Sequence, residues 1–533
     1  MNEKISPGRM ALLALVVVCC LALLALFLPS PIRSPENSSQ SLGGAGQENV
    51  SAPHYWPTEG WQSRTPEEEG IDSAKLAEAL KAIRDENFHI HSLLIIRNGS
   101  VVLDAYFYPY DGKNPHEMAS VTKSLMTTLI GIAADQGKLD LDSPIVFFFP
   151  DRAITNRDAM KERISVRHLA NMSSGLELTV PEDAEGTVHE MMASHDWVQF
   201  ALDRKAVSEP GTSFVYDNCG MHILSAILTE ATGMKALDFG RENLFEPLGI
   251  REVIWPVDPQ GFNYGWGDVH LYPRDAAKIG FLWLHKGVWD GEQIVSSSWV
   301  IDSVKPQIKT DGDDYYGYGW WVETFDSHWI YLAQGRGGQY IIVAPYLDII
   351  VVATGGGYDF DEIKPFIFPA FVDMENPLPA NPEGISELNA ALEAISEPPE
   401  PETIPPLPDK ASEISGKTFF FEENPLEMKA LRLDFNSSDE ARILITFADG
   451  TSPRSGAVGM DGVYRISPGQ YGFPAGYRGR WADDQTFILE IEEIANMDSF
   501  AVKNRFEGDR VVMEGEEKTT GIKIELEGRI QKP

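Results

Sequence analysis

The sequence predicts a mixed α/β (α+β) domain followed by an all-β domain, and three observations carry that expectation. Residues 61–373 alternate irregularly between helical and strand-like periodicity. Near the end of that stretch, residues 329–333, 339–344 and 349–353 are β-branched runs separated by turns, the pattern of neighbouring antiparallel strands. From about Ile414 onward, short alternating segments recur between turns (430–435, 442–447, 486–491, 509–513, 522–526), the spacing of an antiparallel barrel or sandwich. A chain of 533 residues also exceeds what one hydrophobic core supports, so two or more domains are expected.

Read from the N-terminus, Lys4 and Arg9 precede residues 10–28, an uncharged apolar run. As a helix it would reach roughly 28 Å, close to the hydrocarbon thickness of a bilayer. Positive charge ahead of such a run holds the N-terminus in the cytoplasm and sends the rest outside. The run ends in Phe27-Leu28-Pro29 with no small-x-small cleavage site, so residues 1–28 are expected as a membrane anchor in preference to a cleaved signal sequence. Either way the bulk of the chain is extracytoplasmic. Residues 29–57, rich in Pro, Ser, Gly and Asn, read as a flexible spacer.

Residues 58–374 form the expected main domain. Within it, 71–87 has helical periodicity, and 92–107 reads as a hairpin turning at Asn98-Gly99. Residues 375–412 are dense in Pro and Glu and read as a stiff interdomain linker, with a short helix at 386–395. Residues 413–533 are the expected β domain.

Composition narrows the function classes. Eighty acidic and 44 basic side chains give a formal charge of -36, a surface that repels phosphate backbones, so no nucleic-acid partner is expected. Cys19 and Cys20 lie in the apolar run, leaving Cys219 alone, so neither a disulfide framework nor a cysteine zinc cluster can form. No metal and no cofactor is expected.

Three motifs carry chemistry. Glu117-Met-Ala-Ser120-Val-Thr-Lys123 opens a helical pattern, which places Ser120 and Lys123 one turn apart on one face. A serine hydroxyl becomes a nucleophile only with a base in reach, and a lysine held close can serve. Alone, Ser-x-x-Lys equally describes an N-cap serine followed by a surface lysine. The second motif is Tyr216-Asp217-Asn218, preceding an apolar helical stretch. A tyrosine facing an ammonium can act as a base, and the asparagine amide can bond both the lysine and a substrate carbonyl. Alone, it also describes a packed aromatic and an Asx turn. The third is Gly335-Arg336-Gly337-Gly338, joining two apolar strands, where glycines let a substrate lie against the strand edge and leave N–H groups free for an oxyanion.

Together, in this order and at these separations, the motifs resemble the serine β-lactamase / penicillin-binding-protein superfamily, in its class-C-like branch. Val166-Arg-His-Leu-Ala-Asn-Met-Ser-Ser-Gly175 and His270-Leu-Tyr-Pro-Arg-Asp-Ala-Ala-Lys are similar to two further segments of that branch. The C-terminal region resembles the small lipocalin-like barrel appended to some members. The resemblance implies an antiparallel sheet flanked by helices, with a helical subdomain inserted and the active site between them. It implies Ser120 as nucleophile, Lys123 and Tyr216 sharing the general-base role, and Asn218 positioning substrate. Gly335, Arg336 and Gly337 would form the strand edge against which substrate lies, with backbone N–H groups of Ser120 and Arg336 as the oxyanion hole.

One departure sets the expected substrate. The third motif normally begins with a cation two residues before its glycine, and here Ala333 stands in that place. β-Lactams and peptide termini present a carboxylate that the cation would bind. The Gly-Gly-Gln form resembles members that hydrolyse esters or linear amides, including 6-aminohexanoate-oligomer hydrolases. The expected activity is therefore hydrolysis of a small-molecule ester or amide through an acyl-enzyme. The alternatives are a β-lactamase or D-stereospecific peptidase, and a catalytically idle scaffold or cell-wall-binding module.

Overall fold

The first apolar run of the main domain becomes β1 (Ile90–Arg97), which returns through Asn98-Gly99 as β2 (Ser100–Tyr106). Both turn residues have positive φ, 47° and 75°, the left-handed pair that matches a two-residue turn to strand twist and that Asn and Gly adopt at least cost. The sheet continues with β3 (Ile308–Lys309), β4 (Tyr315–Tyr316), β5 (Trp321–Phe325), β6 (His328–Gly335), β7 (Gln339–Ala344) and β8 (Ile349–Gly355). Its order is β2-β1-β8-β7-β6-β5-β4-β3, antiparallel throughout. The three β-branched runs of the sequence are thus the adjacent strands β6, β7 and β8.

In this computed structural model the described residues are Pro53 and 55–530, apart from 425, 449–452, 470–471 and 520. They lie in one compact unit, Gly44–Pro533. The expected anchor at 1–28 and most of the spacer at 29–57 fall outside the described residues. Among those described, no helix is long and apolar enough to cross a membrane.

Helices cover both faces of the sheet, which is why every residue of β1 is buried. Leu93 and Ile95 point to one face, packed with α1 (Ser73–Asp85), and Leu94 and Ile96 point to the other, packed with α2 (Val121–Asp135), α3 (Asn218–Thr232) and α4 (Pro273–Leu284). Residues 218–228 of α3 are all buried, the signature of a helix surrounded by others. Around it stand the shorter helices Val166–Ala170, Ala184–Ala193 and Trp197–Asp203, which form the helical subdomain. On the opposite face of the sheet lie α5 (Phe360–Ile367) and α6 (Pro382–Ser396).

Helix α6 occupies much of the segment expected to be linker. Its Leu388, Ala391 and Ile395, spaced one turn apart, join Leu76 and Leu80 of α1 in the core, because that stripe can be buried only against the domain. Residues 397–403 then run exposed along the surface. Helix α7 (Asp409–Ile414) starts the β domain and inserts Ala411 and Ile414 into its core.

The β domain comprises β9 (Thr418–Phe421), β10 (Met428–Asp434), β11 (Glu440–Phe447), β12 (Arg454–Gly459), β13 (Arg465–Pro468), β14 (Pro474–Trp481), β15 (Thr486–Glu493), β16 (Ser499–Glu507), β17 (Arg510–Glu517) and β18 (Lys523–Ile530). Gly459 of β12 meets Arg478 of β14, closing nine strands into a barrel, and β13 extends the same edge of β14. Closure removes the exposed edges that an open sheet of this length would carry. The barrel contains Phe419, Leu431, Ile443, Tyr477 and Phe487 as its packed interior.

Candidate active site

Ser120 is the N-cap residue of α2, yet its hydroxyl makes no capping bond. Instead the Lys123 ammonium donates to Ser120 Oγ at 2.8 Å and to the Trp266 carbonyl at 2.7 Å. Lys123 is 1 % exposed. These facts separate the two readings of Ser-x-x-Lys, because a capping serine would spend its oxygen on the helix and a surface lysine would lie in water. Ala119, immediately before the serine, has φ 43°. A residue with a Cβ in the left-handed region costs roughly 1–2 kcal/mol, and here it turns the chain sharply from the strand pair His116–Glu117 and His270–Leu271 into the helix.

The second motif closes on the first. The Lys123 ammonium lies 4.7 Å from the centroid of the Tyr216 ring, which itself stacks on Trp321. Asp217 caps α3 through Gly220 N–H and is held by a bidentate pair with Arg204, both contacts 2.9 Å and both side chains buried. Arg204 was not legible as functional, since nothing in its local sequence marks it, yet it fixes the residue between Tyr216 and Asn218. Asn218 lies in the first turn of α3, where its amide nitrogen donates to Ala184 O at 3.5 Å and its Oδ1 is buried without a hydrogen bond. The expected Asn218–Lys123 bond is absent among the described residues, because the lysine donates to the serine and to the Trp266 carbonyl and the amide turns toward Ala184.

The third motif brings β6 against Ser120. A Cβ on Gly335 would stand 2.6 Å from Met118 O and 3.0 Å from Ser120 N, so only glycine lets the strand edge approach that closely. The backbone N–H groups of Ser120 and Arg336 enter no hydrogen bond among the described residues, the arrangement an oxyanion hole needs. Gln339, the last residue of the Gly-Gly-Gln form, holds the turn by donating to Gly355 O at 2.6 Å and Arg336 O at 3.3 Å. Ala333, on the same strand face as Gly335, is 0 % exposed and belongs to the core. Arg336 is exposed, with Nε donating to Met497 Sδ at 3.3 Å.

That methionine belongs to the barrel, and sequence reading missed its whole loop. Glu117 N–H donates to Ala495 O at 2.9 Å, His270 Nε2 contacts Asn496 Oδ1 at 2.9 Å, and Thr519 Oγ1 donates to Gly356 O at 2.8 Å. The β domain therefore borders the third motif. Beside it three carboxyls gather. Burial pushes Glu117 well above the usual carboxylate range, reinforced by Asp268 and Asp498 and opposed by Arg336. Asp268 is likewise raised by burial, and Asp498 is pushed up to about 6 by burial and by Glu517. His168 and Cys219, left unassigned from sequence, are local: His168 contacts Ser165 at its own helix start, and burial pushes the Cys219 thiol up to about 12, so it is no thiolate.

Comparison with known proteins places this geometry in a family. A family model described as Beta-lactamase matches residues 79–355, just over half of the chain. The 6-aminohexanoate-dimer hydrolase of Paenarthrobacter ureafaciens is 26 % identical over 293 residues, covering 51 % of this chain and 73 % of that protein. Esterase EstB of Burkholderia gladioli is 25 % identical over 237 residues, covering 39 % of this chain and 60 % of its own. A solved octameric penicillin-binding protein homologue from Pyrococcus abyssi is similar at 18 % identity and TM-score 0.47, over 86 % of this chain and 100 % of its own. The chain belongs to the β-lactamase family, the superfamily of serine β-lactamases and penicillin-binding proteins, and is a serine hydrolase.

Proposed function

We propose that the chain is an extracytoplasmic hydrolase of neutral esters or linear amides, acting through an acyl-enzyme on Ser120. The observation that carries this reading is the Ser120 hydroxyl, unused as a cap and bonded to a buried lysine. Ser120 Oγ attacks the substrate carbonyl carbon while its proton passes to the member of the Lys123–Tyr216 pair that is unprotonated in the reacting state, the free amine or the phenolate. The developing oxyanion is met by the N–H groups of Ser120 and Arg336. Collapse expels the alcohol or amine, which takes the proton back, and water repeats the sequence to release the acid and free Ser120. The location rests on residues 10–28, read as an anchor.

Substrate class rests on Ala333. A methyl group in the core offers a substrate carboxylate no partner, and an unpaired charge in a partly dry cleft is costly. The names of the two relatives, a 6-aminohexanoate-dimer hydrolase and an esterase, support the same class. Arg336, exposed beside the third motif, favours a second reading in which it anchors the carboxylate of a β-lactam or D-amino-acid peptide.

The test is a panel of nitrophenyl esters, a cephalosporin and D-amino-acid amides, run with fluorophosphonate labelling of the natural chain and Ser120→Ala. Short-chain esters are expected to turn over far faster than any β-lactam, and labelling to vanish in the variant while its melting temperature is kept. Covalent labelling of the alanine variant refutes the nucleophile. Efficient cephalosporin hydrolysis by the natural chain refutes the substrate class in favour of Arg336 as anchor. Absence of labelling in both proteins leaves the idle scaffold.

A further inference from the structure

A second cluster of functional side chains lies where the two domains meet. His89 and His91 sit at the start of β1, and Glu492 reaches them from β15 of the barrel, some 400 residues away in sequence. The ligand atoms, one from each residue, a ring nitrogen of either histidine and a carboxylate oxygen, lie within 4.8 Å of one another. His89 Nε2 is 2.9 Å from Glu492 Oε2, and His91 Nε2 is 3.4 Å from Glu492 Oε1. His91 and Glu492 are buried, and His89 leaves a partly open side.

The hydrogen bonds behind the cluster decide which ring atoms face inward. A carbonyl oxygen only accepts, so the 2.7 Å contact from His116 Nδ1 to Glu117 O puts a proton on Nδ1. The neutral His116 ring then presents a lone pair at Nε2, 2.7 Å from His91 Nδ1, which must donate. A neutral His91 therefore turns a bare Nε2 lone pair toward the carboxylate, and neither His91 Nε2 nor Glu492 Oε1 has a hydrogen bond. His89 repeats the arrangement: its Nδ1 donates to Gly356 O at 2.6 Å, leaving Nε2 for the cluster. His89 Nε2 meets Glu492 Oε2 in a 2.9 Å hydrogen bond, but the electron-rich His91 Nε2 and Glu492 Oε1 face each other at 3.4 Å with no hydrogen bond. A cation there would relieve the repulsion.

We propose that His89, His91 and Glu492 bind a divalent ion of the zinc type, which pins the barrel to the catalytic sheet. Two imidazoles and a carboxylate are a ligand set suited to zinc, and each imidazole is oriented through its other nitrogen, by a carbonyl or by His116, as metal-binding histidines usually are. Metal bonds of about 2.0–2.1 Å to tetrahedral ligands set those ligands about 3.3 Å apart; His89 and His91 lie 2.9 and 3.4 Å from separate oxygens of Glu492, and the three ligand atoms, within 4.8 Å of one another, would draw together around the ion. Water would complete the fourth position. The ligands are too far apart in sequence for any spacing rule to find them, so the sequence reading assigned no metal here.

The test uses the full chain, stripped with a chelator and titrated with Zn²⁺ and, separately, Co²⁺. One equivalent of Zn²⁺ should bind and raise the melting temperature. Co²⁺ should give the intense visible bands of a four- or five-coordinate site. Glu492→Gln and His91→Gln should each weaken Zn²⁺ binding more than about 100-fold, and His116→Gln by about 10- to 100-fold as an outer partner. His328→Gln, an exposed histidine on another strand, should change nothing. An octahedral, water-like Co²⁺ spectrum with no stoichiometric Zn²⁺ binding overturns the proposal and leaves a histidine–glutamate ion pair. Binding retained in folded Glu492→Gln and His91→Gln overturns it as well. Where those variants fail to fold, the Co²⁺ spectrum of the natural chain alone decides.

Discussion

Gly335→Ala puts the smallest possible load on the contact between the third motif and Ser120. The new Cβ would stand 2.6 Å from Met118 O, about 0.8 Å inside the 3.4 Å at which ordinary van der Waals contact begins, and would press on Ser120 N as well. Both obstacles are backbone, so neither can swing aside. Gly335 has no left-handed backbone angle, so alanine meets no conformational penalty and the whole effect is displacement. Overpacking of this kind costs about 1–3 kcal/mol in stability. A shift approaching 1 Å between Ser120 and the oxyanion donor at Arg336 is expected to lower kcat/KM about 100-fold. The assay is ester hydrolysis together with the rate of fluorophosphonate labelling, since both need the same alignment. Gly312→Ala, at an exposed position whose new Cβ would meet only Thr310 Oγ1 at 3.7 Å, is the control and should match the natural chain. Unchanged kcat/KM in a folded Gly335→Ala protein would refute the placement of the strand edge against the nucleophile.

Lys123→Ala and Tyr216→Phe should each lower turnover by about 100- to 10,000-fold, with the double variant little worse than the worse single one if both serve one proton; multiplicative losses in the cycle would assign them to separate steps. Arg204→Met leaves the buried Asp217 without its partner and should cost about 3–5 kcal/mol in urea unfolding, with Arg204→Lys recovering part of it; a loss under 1 kcal/mol would mean the pair does not anchor the motif. Asp498 faces Glu517, Glu493, Asp268 and Arg336, and its carboxyl is raised from 3.8 to about 6. Folding therefore takes up a proton between about pH 4 and 6, and this contribution to stability is full at low pH and lost as pH rises through about 6. Asp498→Asn should accordingly gain on the order of 2–3 kcal/mol relative to the natural chain on going from pH 4 to pH 7.5, and an equal difference at both pH values would refute the assignment.

The parts legible in sequence were those fixed by short spacing. Asn98-Gly99 announced its hairpin because only such residues take two consecutive positive φ angles cheaply, and Ser120–Lys123 declared a shared helical face through the i, i+3 rule. The Ala333 departure could likewise be placed by counting back two residues along one strand face. What escaped were contacts made across the fold. Arg204 lies in an unremarkable polar stretch, and its role exists only because Asp217 is brought over it. Ala119 gives no hint of a left-handed backbone, since alanine has no preference for it; the turn is imposed by the packing around the nucleophile. The short helix expected at 386–395 is present as part of residues 382–396, but its docking was not legible, because Pro and Glu dominate the surrounding composition and hide the stripe Leu388, Ala391, Ile395. The loop 495–498 carries no motif at all.

That loop gives the order of synthesis a bearing on the cleft. Ser120, its lysine, Tyr216 and the strand edge are all translated before any of the barrel residues that border them. The 163 residues between Gly355 and Thr519 take on the order of 10 s to make; until Ala495 is added Glu117 N–H lacks its carbonyl partner, and until Thr519 is added Gly356 O lacks its hydroxyl partner. A chain ended early, by a nonsense codon or a protease cut after residue 396, would still carry every motif that identifies the family. It would lack the loop that bonds Glu117, His270 and Arg336 beside them. In this protein a lesion near the C-terminus is a lesion of the catalytic half, whatever the distance along the gene.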